Sequence, residues 1–349
     1  MRIKTNTGVT GAWGALRGIA MAAILVTVTL ALAKPAAARL GPDTIALFPK
    51  EVGEFGYADM KKARSLKWFG QLQAQVLPER FKEFEKFLAS AGLDPNSQVE
   101  ELAWGLVADN MDAKQSGAGS SAVPTGEEII GVALGSFNPE AVERYFKQQK
   151  LPTFKTRGYM LFPFGSGSGS NDLFFVFFDS NKAAFGSRSK IDKMIEIRFG
   201  SEQGLLYNEA VFPLINEANG GSTVWLVLNA AYTRLAVRQL APEMEQFPEA
   251  AKLVARLKNG IINVDAGSGV DAKVQIICGS TDDANTMAQL LQAGLLYKRY
   301  QAGKENPDMA TMLDSAKVAP SGDRLSVRMS VSDEQIAKLI QSNTFAIKM

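Results

Sequence analysis

The chain has 349 residues, of which 46% are hydrophobic and 21% charged, with one cysteine, no histidine and a formal net charge of +2. This length and apolar content are typical of a globular protein of about two domains. The absence of imidazole excludes Ser-His-Asp and Cys-His hydrolases, histidine-ligated zinc or iron, and histidine proton shuttles.

The first 38 residues have the features of an export signal. Basic residues and no acidic ones accompany the uncharged run Gly18–Ala33. This run is shorter than the roughly 20 residues of a membrane-spanning helix but suits the apolar core of a signal peptide. The small residues Ala36–Ala38 predict cleavage before Arg39 and a periplasmic or secreted protein. An uncleaved N-terminal membrane anchor is the alternative.

Cleavage would change the charge of the body. It would remove 4 of the 38 basic residues and leave 34 against 36 acidic residues, a net charge of −2. Nucleic-acid binding depends on clusters of basic residues, so we expect no nucleic-acid partner. Cys278 lies in an apolar stretch and is predicted to be a small buried hydrophobe.

Related segments occur twice in the body, and in each a predicted strand runs into a helix. The repetition predicts two modules, residues 39–200 and 201–349. The aligned segments are Phe55–Asp59 with Trp225–Asn229, at an offset of 170, and Val132–Ser136 with Ile276–Ser280, at an offset of 144.

Turn and cap signals point to an α+β fold. Ala266–Gly269 is predicted to be a tight hairpin turn, whereas the longer Gly/Ser runs at 115–126 and 165–170 are predicted to be flexible loops. Ser332 and Gln335 have the spacing of a capping box at the start of the last helix. Short connections between neighbouring strands favour antiparallel sheets with helices on one face.

Two short motifs invite a catalytic interpretation. The run Gly165–Ser170 lacks the Lys-Ser/Thr that completes a phosphate-binding loop, so it is interpreted as a hairpin loop. Ser187 and Lys190 have the Ser-x-x-Lys spacing of penicillin-binding proteins, but the accompanying Ser-Asp-Asn and Lys-Thr-Gly signatures are absent from the sequence.

Carboxylate pairs leave a hydrolase open as an alternative, because two acids can cleave a glycoside without imidazole. Glu100–Glu101 and Glu127–Glu128 are interpreted as solubilising flanks of strands, and Asp282–Asp283 as the start of a helix. Asp59 and Asn229 are interpreted as helix caps, each followed by a recurring arginine. The sequence also contains no Asp-x-Asp-x-Asp-Gly loop, so we expect no metal. Because the acids have these structural interpretations, we also expect no catalytic residue, and we expect no cofactor.

The run Phe174–Phe178, in which four of five residues are phenylalanine, is the most unusual feature of the sequence. A continuous apolar strand is normally covered on both faces, which favours buried core. The functional alternative is an apolar groove, with Phe164, Phe175 and Phe177 as the candidate surface for an apolar ligand or an envelope partner. A carrier of apolar ligands would need a cavity of several hundred Å³ beside these rings.

The repeated modules and the opening segment Ala46–Leu66 resemble exported bacterial proteins of unknown function with a duplicated strand and helix module. The resemblance implies a location in the cell envelope or outside the cell and transfers no functional residue. We therefore expect an exported, non-enzymatic binding or structural protein. A carboxylate-dependent envelope hydrolase and a carrier of an apolar ligand are the alternatives.

Overall fold

The structure is a computed structural model that describes residues 39–76, 79–108, 127–169, 172–240, 248–305 and 307–342. The predicted export signal and the Gly/Ser loop at 115–126 lie outside these residues. Within these residues, alternating and continuous apolar segments form twelve strands. The strands are β1 (Glu54–Asp59), β2 (Val99–Ala108), β3 (Glu127–Gly135), β4 (Phe154–Thr156), β5 (Tyr159–Phe164), β6 (Leu173–Phe177), β7 (Lys182–Gly186), β8 (Val224–Leu228), β9 (Gly260–Ala266), β10 (Gly269–Ile277), β11 (Lys317–Ser321) and β12 (Arg324–Ser332).

The helices fall mainly between these strands, where the apolar spacing changes to that of a helix. They are α1 (Pro42–Ile45), α2 (Met60–Arg64), α3 (Phe69–Val76), α4 (Glu79–Ser90), α5 (Pro95–Gln98), α6 (Pro139–Gln148), α7 (Arg188–Arg198), α8 (Phe212–Ala218), α9 (Ala230–Leu240), α10 (Pro248–Ala255), α11 (Thr281–Glu305), α12 (Pro307–Asp314) and α13 (Asp333–Gln341), with a 3₁₀ turn at Leu205–Tyr207.

All twelve strands join in one sheet, in the order β11-β12-β10-β9-β8-β1-β2-β3-β7-β6-β5-β4. Every neighbouring pair is antiparallel, so the α+β fold with antiparallel strands is confirmed. Strands of the two predicted modules meet at the pair of β1 with β8, where Phe55 lies opposite Val227 and Tyr57 opposite Trp225. Strands of both predicted modules thus share one sheet, and the division at residue 200 stays a prediction.

Alternation along the strands separates a back face from a front face. The back face carries Phe55, Tyr57 and Trp225, which belong to one large buried cluster. The Trp225 ring stacks on Tyr57, with centroids 5.6 Å apart. Helix α7 contributes Ile191 to the same cluster, and α8 contributes Ile215. The back face therefore holds the main core.

The front face is covered by the other large helices. Phe84 of α4 and Phe146 of α6 pack over the first-half strands, and Leu253 of α10 and Met287 of α11 pack over the second half. These helices agree with the prediction that helices cover one face of the sheet. Helices α7 and α8 lie on the back face instead, because apolar side chains of β6 point to both sides of the sheet and need cover on each.

The predicted capping box at α13 is present. Ser332 Oγ accepts a hydrogen bond from the Gln335 backbone N–H, and the Gln335 side chain accepts one from the Ser332 N–H. We expect Ser332→Ala to lower the free energy of unfolding by about 1 kcal/mol in urea titrations. Ser187 is the matched control, because it occupies the N-cap of α7 without a side-chain capping bond. Equal losses for Ser332→Ala and Ser187→Ala would contradict the assignment.

Candidate functional site: an apolar cavity on the front face

The three phenylalanines singled out in the sequence lie on the front face. Phe175 of β6 is paired with Phe162 of β5 on one side and with Phe185 of β7 on the other. Directly opposed residues of an antiparallel pair point to the same face, so their rings are neighbours there. Phe164 and Phe177 are two residues along their strands from members of this row and share its face.

These rings do not form an exposed patch. Phe175 is 4% exposed and Phe177 is 9% exposed, while Phe164 is half-buried. Helix α4 covers them, since the Phe84 ring lies 5.2 Å from Phe164 and 6.0 Å from Phe175 between centroids. The candidate surface is therefore an internal wall of the fold.

Beside that wall lies a cavity of about 660 Å³, which we call the apolar cavity. Helix α4 closes one side with Phe81, Phe84, Glu85 and Leu88, whose spacing puts them on one helix face. The sheet forms the floor, partly with small side chains such as Ala133 and Ala183. The further lining residues are Met60, Gln73, Leu93, Pro95, Asn96, Gln98, Val99, Leu102, Trp104, Ile129, Phe137, Phe175, Phe177, Ala184 and Phe185.

The cavity exists because small residues of the floor lie below large ones of the roof. Ala133 of β3 is opposed by Leu102 of β2 and by Ala183 of β7. The two alanine side chains are short, so they leave space above the sheet at this point. Gly131, next along the same face, leaves room for the Phe185 ring, which would lie 2.2 Å from a Cβ atom at that position. Apolar rings thus stand around a shallow floor instead of filling it.

Polar side chains border the apolar cavity at one end. Gln73 Nε2 of α3 donates a hydrogen bond to Glu85 Oε1 of α4, at 3.2 Å. Burial raises the pKa of the Glu85 carboxyl, and the Asp94 carboxylate raises it further. The Gln98 side chain accepts a hydrogen bond from the Asp94 N–H. This end can form hydrogen bonds to a ligand, whereas the rest of the lining is apolar.

The Ser-x-x-Lys residues have other contacts. Lys190 Nζ forms an ion pair with Glu128 Oε2, at 3.3 Å, and Ser187 Oγ lies 3.3 Å from Ser189 Oγ. Glu128 therefore lies within β3 as the partner of a lysine rather than as a solubilising flank before the strand. In the Gly/Ser loop, Asp172 accepts hydrogen bonds from the Gly169 N–H and the Ser166 hydroxyl.

Several of the other candidate residues have structural partners. Asp59 caps α2 by accepting from the Lys62 N–H, and Asn229 accepts from the Tyr232 N–H. The two recurring arginines, Arg64 and Arg234, donate to the backbone carbonyls of Val99 and Leu257. Of the adjacent acids, Glu100 lies 3.9 Å from Lys61, and Asp283 at the start of α11 forms a two-fold hydrogen bond with Arg256.

The single cysteine is buried in the second-half cluster, as predicted. Burial raises the pKa of the Cys278 thiol to about 11, so little reactive thiolate forms at neutral pH. We expect a disulfide reagent to label the native protein at pH 8 at least tenfold more slowly than the protein in guanidinium chloride. Equal labelling rates in the two conditions would contradict the burial.

Among the described ranges, no group of three or more Cys, Asp or Glu residues is arranged to hold a metal ion. No helix in those ranges combines the length and the apolar content needed to cross a membrane. A depression of about 1240 Å³ also lies on the surface, lined in part by Lys50, Glu51 and Glu202.

Sequence reasoning found the rings of the wall and missed most of the roof and floor. The spacing of Phe81, Phe84 and Leu88 on a helix, together with the alternation around Trp104, is the signal that could have found them. The polar end joins Gln73 to Glu85 through a contact between two helices, which spacing alone does not reveal.

No protein-family model matches the sequence, and a search of curated proteins finds no match. Among solved structures, crystal form III of TP0453 is similar, with a TM-score of 0.50 and 13% identity over 86% of this chain and 99% of that chain. Crystal form I of TP0453 has a TM-score of 0.48 and 14% identity, over 88% and 98% of the two chains. At such identity, the first likeness bears on the fold alone and agrees with an α+β architecture.

Proposed function

We propose that this chain is an exported, non-enzymatic binding protein of the cell envelope or the cell exterior, and that its apolar cavity holds an alkyl chain. The observation that carries the proposal is the cavity of about 660 Å³ between α4 and the front face. Its volume lies within the range of about 300–1,000 Å³ that small-molecule sites occupy. Its aromatic lining suits a flexible hydrocarbon better than a polar substrate.

The energetics favour such a ligand. An apolar cavity without a ligand leaves its lining atoms without contacts on one side, and such cavities destabilise a fold. Each methylene group transferred from water into the cavity contributes about 0.8 kcal/mol. Part of this gain offsets the lost freedom of the ligand, so a long alkyl chain is expected to bind with roughly micromolar affinity.

Two further features support this interpretation. The leader at residues 1–38 favours export, with a membrane anchor as the alternative if it is not cleaved. Glu128 and Asp283, which belong to two of the adjacent acid pairs, form ion pairs with Lys190 and Arg256. Within the described ranges, Glu85 is the ionisable residue in the cavity lining. These positions suit binding better than two-carboxylate hydrolysis, which needs paired acids in one cleft.

Fluorescence titration with cis-parinaric acid tests the proposed function. We expect saturable binding of one probe per chain, with a dissociation constant of about 1 μM, and displacement of the probe by palmitate. Protein unfolded in guanidinium chloride is the control and should show no saturable signal. A native protein that neither saturates nor releases the probe to palmitate would rule out the alkyl-chain site.

The location is tested on protein purified from its source envelope. Mass spectrometry is expected to find a chain that begins at Arg39. An intact chain that begins at Met1 would instead identify the leader as an anchor. Extraction of the same sample with organic solvent should release a lipid in an amount comparable to the protein.

A further inference from the structure

A second depression of about 470 Å³, with Lys82, Lys86 and Asp94 in its lining, lies next to the apolar cavity. The two spaces share four lining residues, Gln73, Glu85, Pro95 and Asn96. A molecule with its chain in the cavity would therefore emerge between α3, α4 and α5, beside the hydrogen-bonded pair of Gln73 and Glu85. We call this shared border the junction.

Charge is arranged in sequence along this path. Within the described ranges, Glu85 at the junction is the ionisable residue that lines the cavity, whereas Lys82 and Lys86 line only the depression. The two lysines are four residues apart on α4, so both lie on one side of that helix. Asp94 also lines the depression, but its carboxylate accepts hydrogen bonds from the Asn96 N–H and the Ser97 hydroxyl.

The order of Glu85 followed by Lys82 and Lys86 favours some ligand head groups over others. A carboxylate directly attached to the chain would stop at the junction, where Glu85 would oppose it with like charge. A hydroxyl at the same place would donate a hydrogen bond to the Glu85 carboxyl. A phosphate one step further out would meet the ammonium groups of Lys82 and Lys86, which bind phosphate as point charges.

We propose that the site takes a monoacyl phospholipid, with its acyl chain in the apolar cavity, its glycerol hydroxyl at Glu85 and its phosphate at Lys82 and Lys86. This inference rests on the proposed function, because it names the class of amphiphile that the same cavity holds. The ligand class excludes free fatty acids as preferred occupants, although their chains fit the cavity.

The test compares three probes that share one acyl chain. They are 1-palmitoyl lysophosphatidylglycerol, monopalmitoylglycerol and palmitate, each measured below its critical micelle concentration by displacement of cis-parinaric acid. We expect the lysophospholipid to bind about tenfold more tightly than palmitate, which corresponds to one charge-assisted hydrogen bond. Monopalmitoylglycerol, which has the hydroxyl but no phosphate, should fall between them.

Two variants separate the contributions. Glu85→Gln keeps a hydrogen-bond acceptor but removes the charge, so palmitate should bind more tightly. The preference for the lysophospholipid over palmitate should then fall to about threefold or less. The double variant Lys82→Gln, Lys86→Gln should weaken the lysophospholipid about fivefold and leave monopalmitoylglycerol unchanged. The control is Lys147→Gln with Lys317→Gln, two exposed lysines that line neither space.

The outcomes distinguish this inference from the proposed function. If all three probes bind with equal affinity to the wild type and to every variant, the head-group assignment is overturned while the alkyl-chain site stands. If palmitate binds more tightly than the lysophospholipid, the assignment is overturned as well. If no probe binds to the folded protein, both this inference and the proposed function fail.

Discussion

Replacing Trp225 by alanine is expected to lower the free energy of unfolding by about 3–5 kcal/mol. Trp225 is fully buried on the back face, where it stacks on Tyr57 and lies 5.6 Å from the Phe55 ring between centroids. It also belongs to β8, which joins the second half of the sheet to β1. The substitution removes a large side chain at the centre of the sheet, and the neighbouring rings can fill the gap only in part.

Guanidinium titration followed by circular dichroism measures this loss. Tyr207→Ala is the matched control, because Tyr207 is a large aromatic residue that is 62% exposed. Its replacement should change the unfolding free energy by no more than about 0.5 kcal/mol. If Trp225→Ala cost no more than Tyr207→Ala, the burial of Trp225 in the core at the β1–β8 pair would be wrong.

Replacing Ala133 by phenylalanine is expected to reduce the affinity for cis-parinaric acid at least tenfold. Ala133 lies at the low centre of the cavity floor, between Leu102 and Ala183. The added ring would occupy space that the proposed alkyl chain fills. Because the cavity can accept the ring, the stability should fall by no more than about 1–3 kcal/mol, the usual cost of a larger side chain in a packed core.

Fluorescence titration and urea unfolding on the same sample separate lost binding from lost folding. The control is Ala293→Phe, which adds the same ring at an exposed position of α11. That variant should bind the probe as wild type does. A folded Ala133→Phe protein with unchanged probe affinity would place the ligand elsewhere.

Local signals in the sequence predicted the strongly patterned elements. The capping box at Ser332 and the turn at Ala266–Gly269 are confirmed, because both depend on residues close together in the chain. No local signal in the sequence predicts strand β7 (Lys182–Gly186). Its alanines carry little strand preference, and it forms because β3 and β6 pair with it on either side.

The candidate site was predictable only in part, for a similar reason. The phenylalanines of β6 could be recognised from the sequence, because they are concentrated in one short segment. Whether they would enclose a space depended on which small residues faced them across the sheet. That depends on the register of Ala133 against Ala183, residues 50 positions apart in the chain, and on where α4 packs.

A crystal structure of the protein with brominated palmitate tests the central claim most directly. Bromine is located by its anomalous scattering, so the position of the chain does not depend on interpretation of weak density. An alkyl chain in the apolar cavity predicts a bromine peak among Phe84, Phe175 and Trp104. A bromine peak confined to another surface, with the cavity between α4 and the sheet free of ligand, would contradict it.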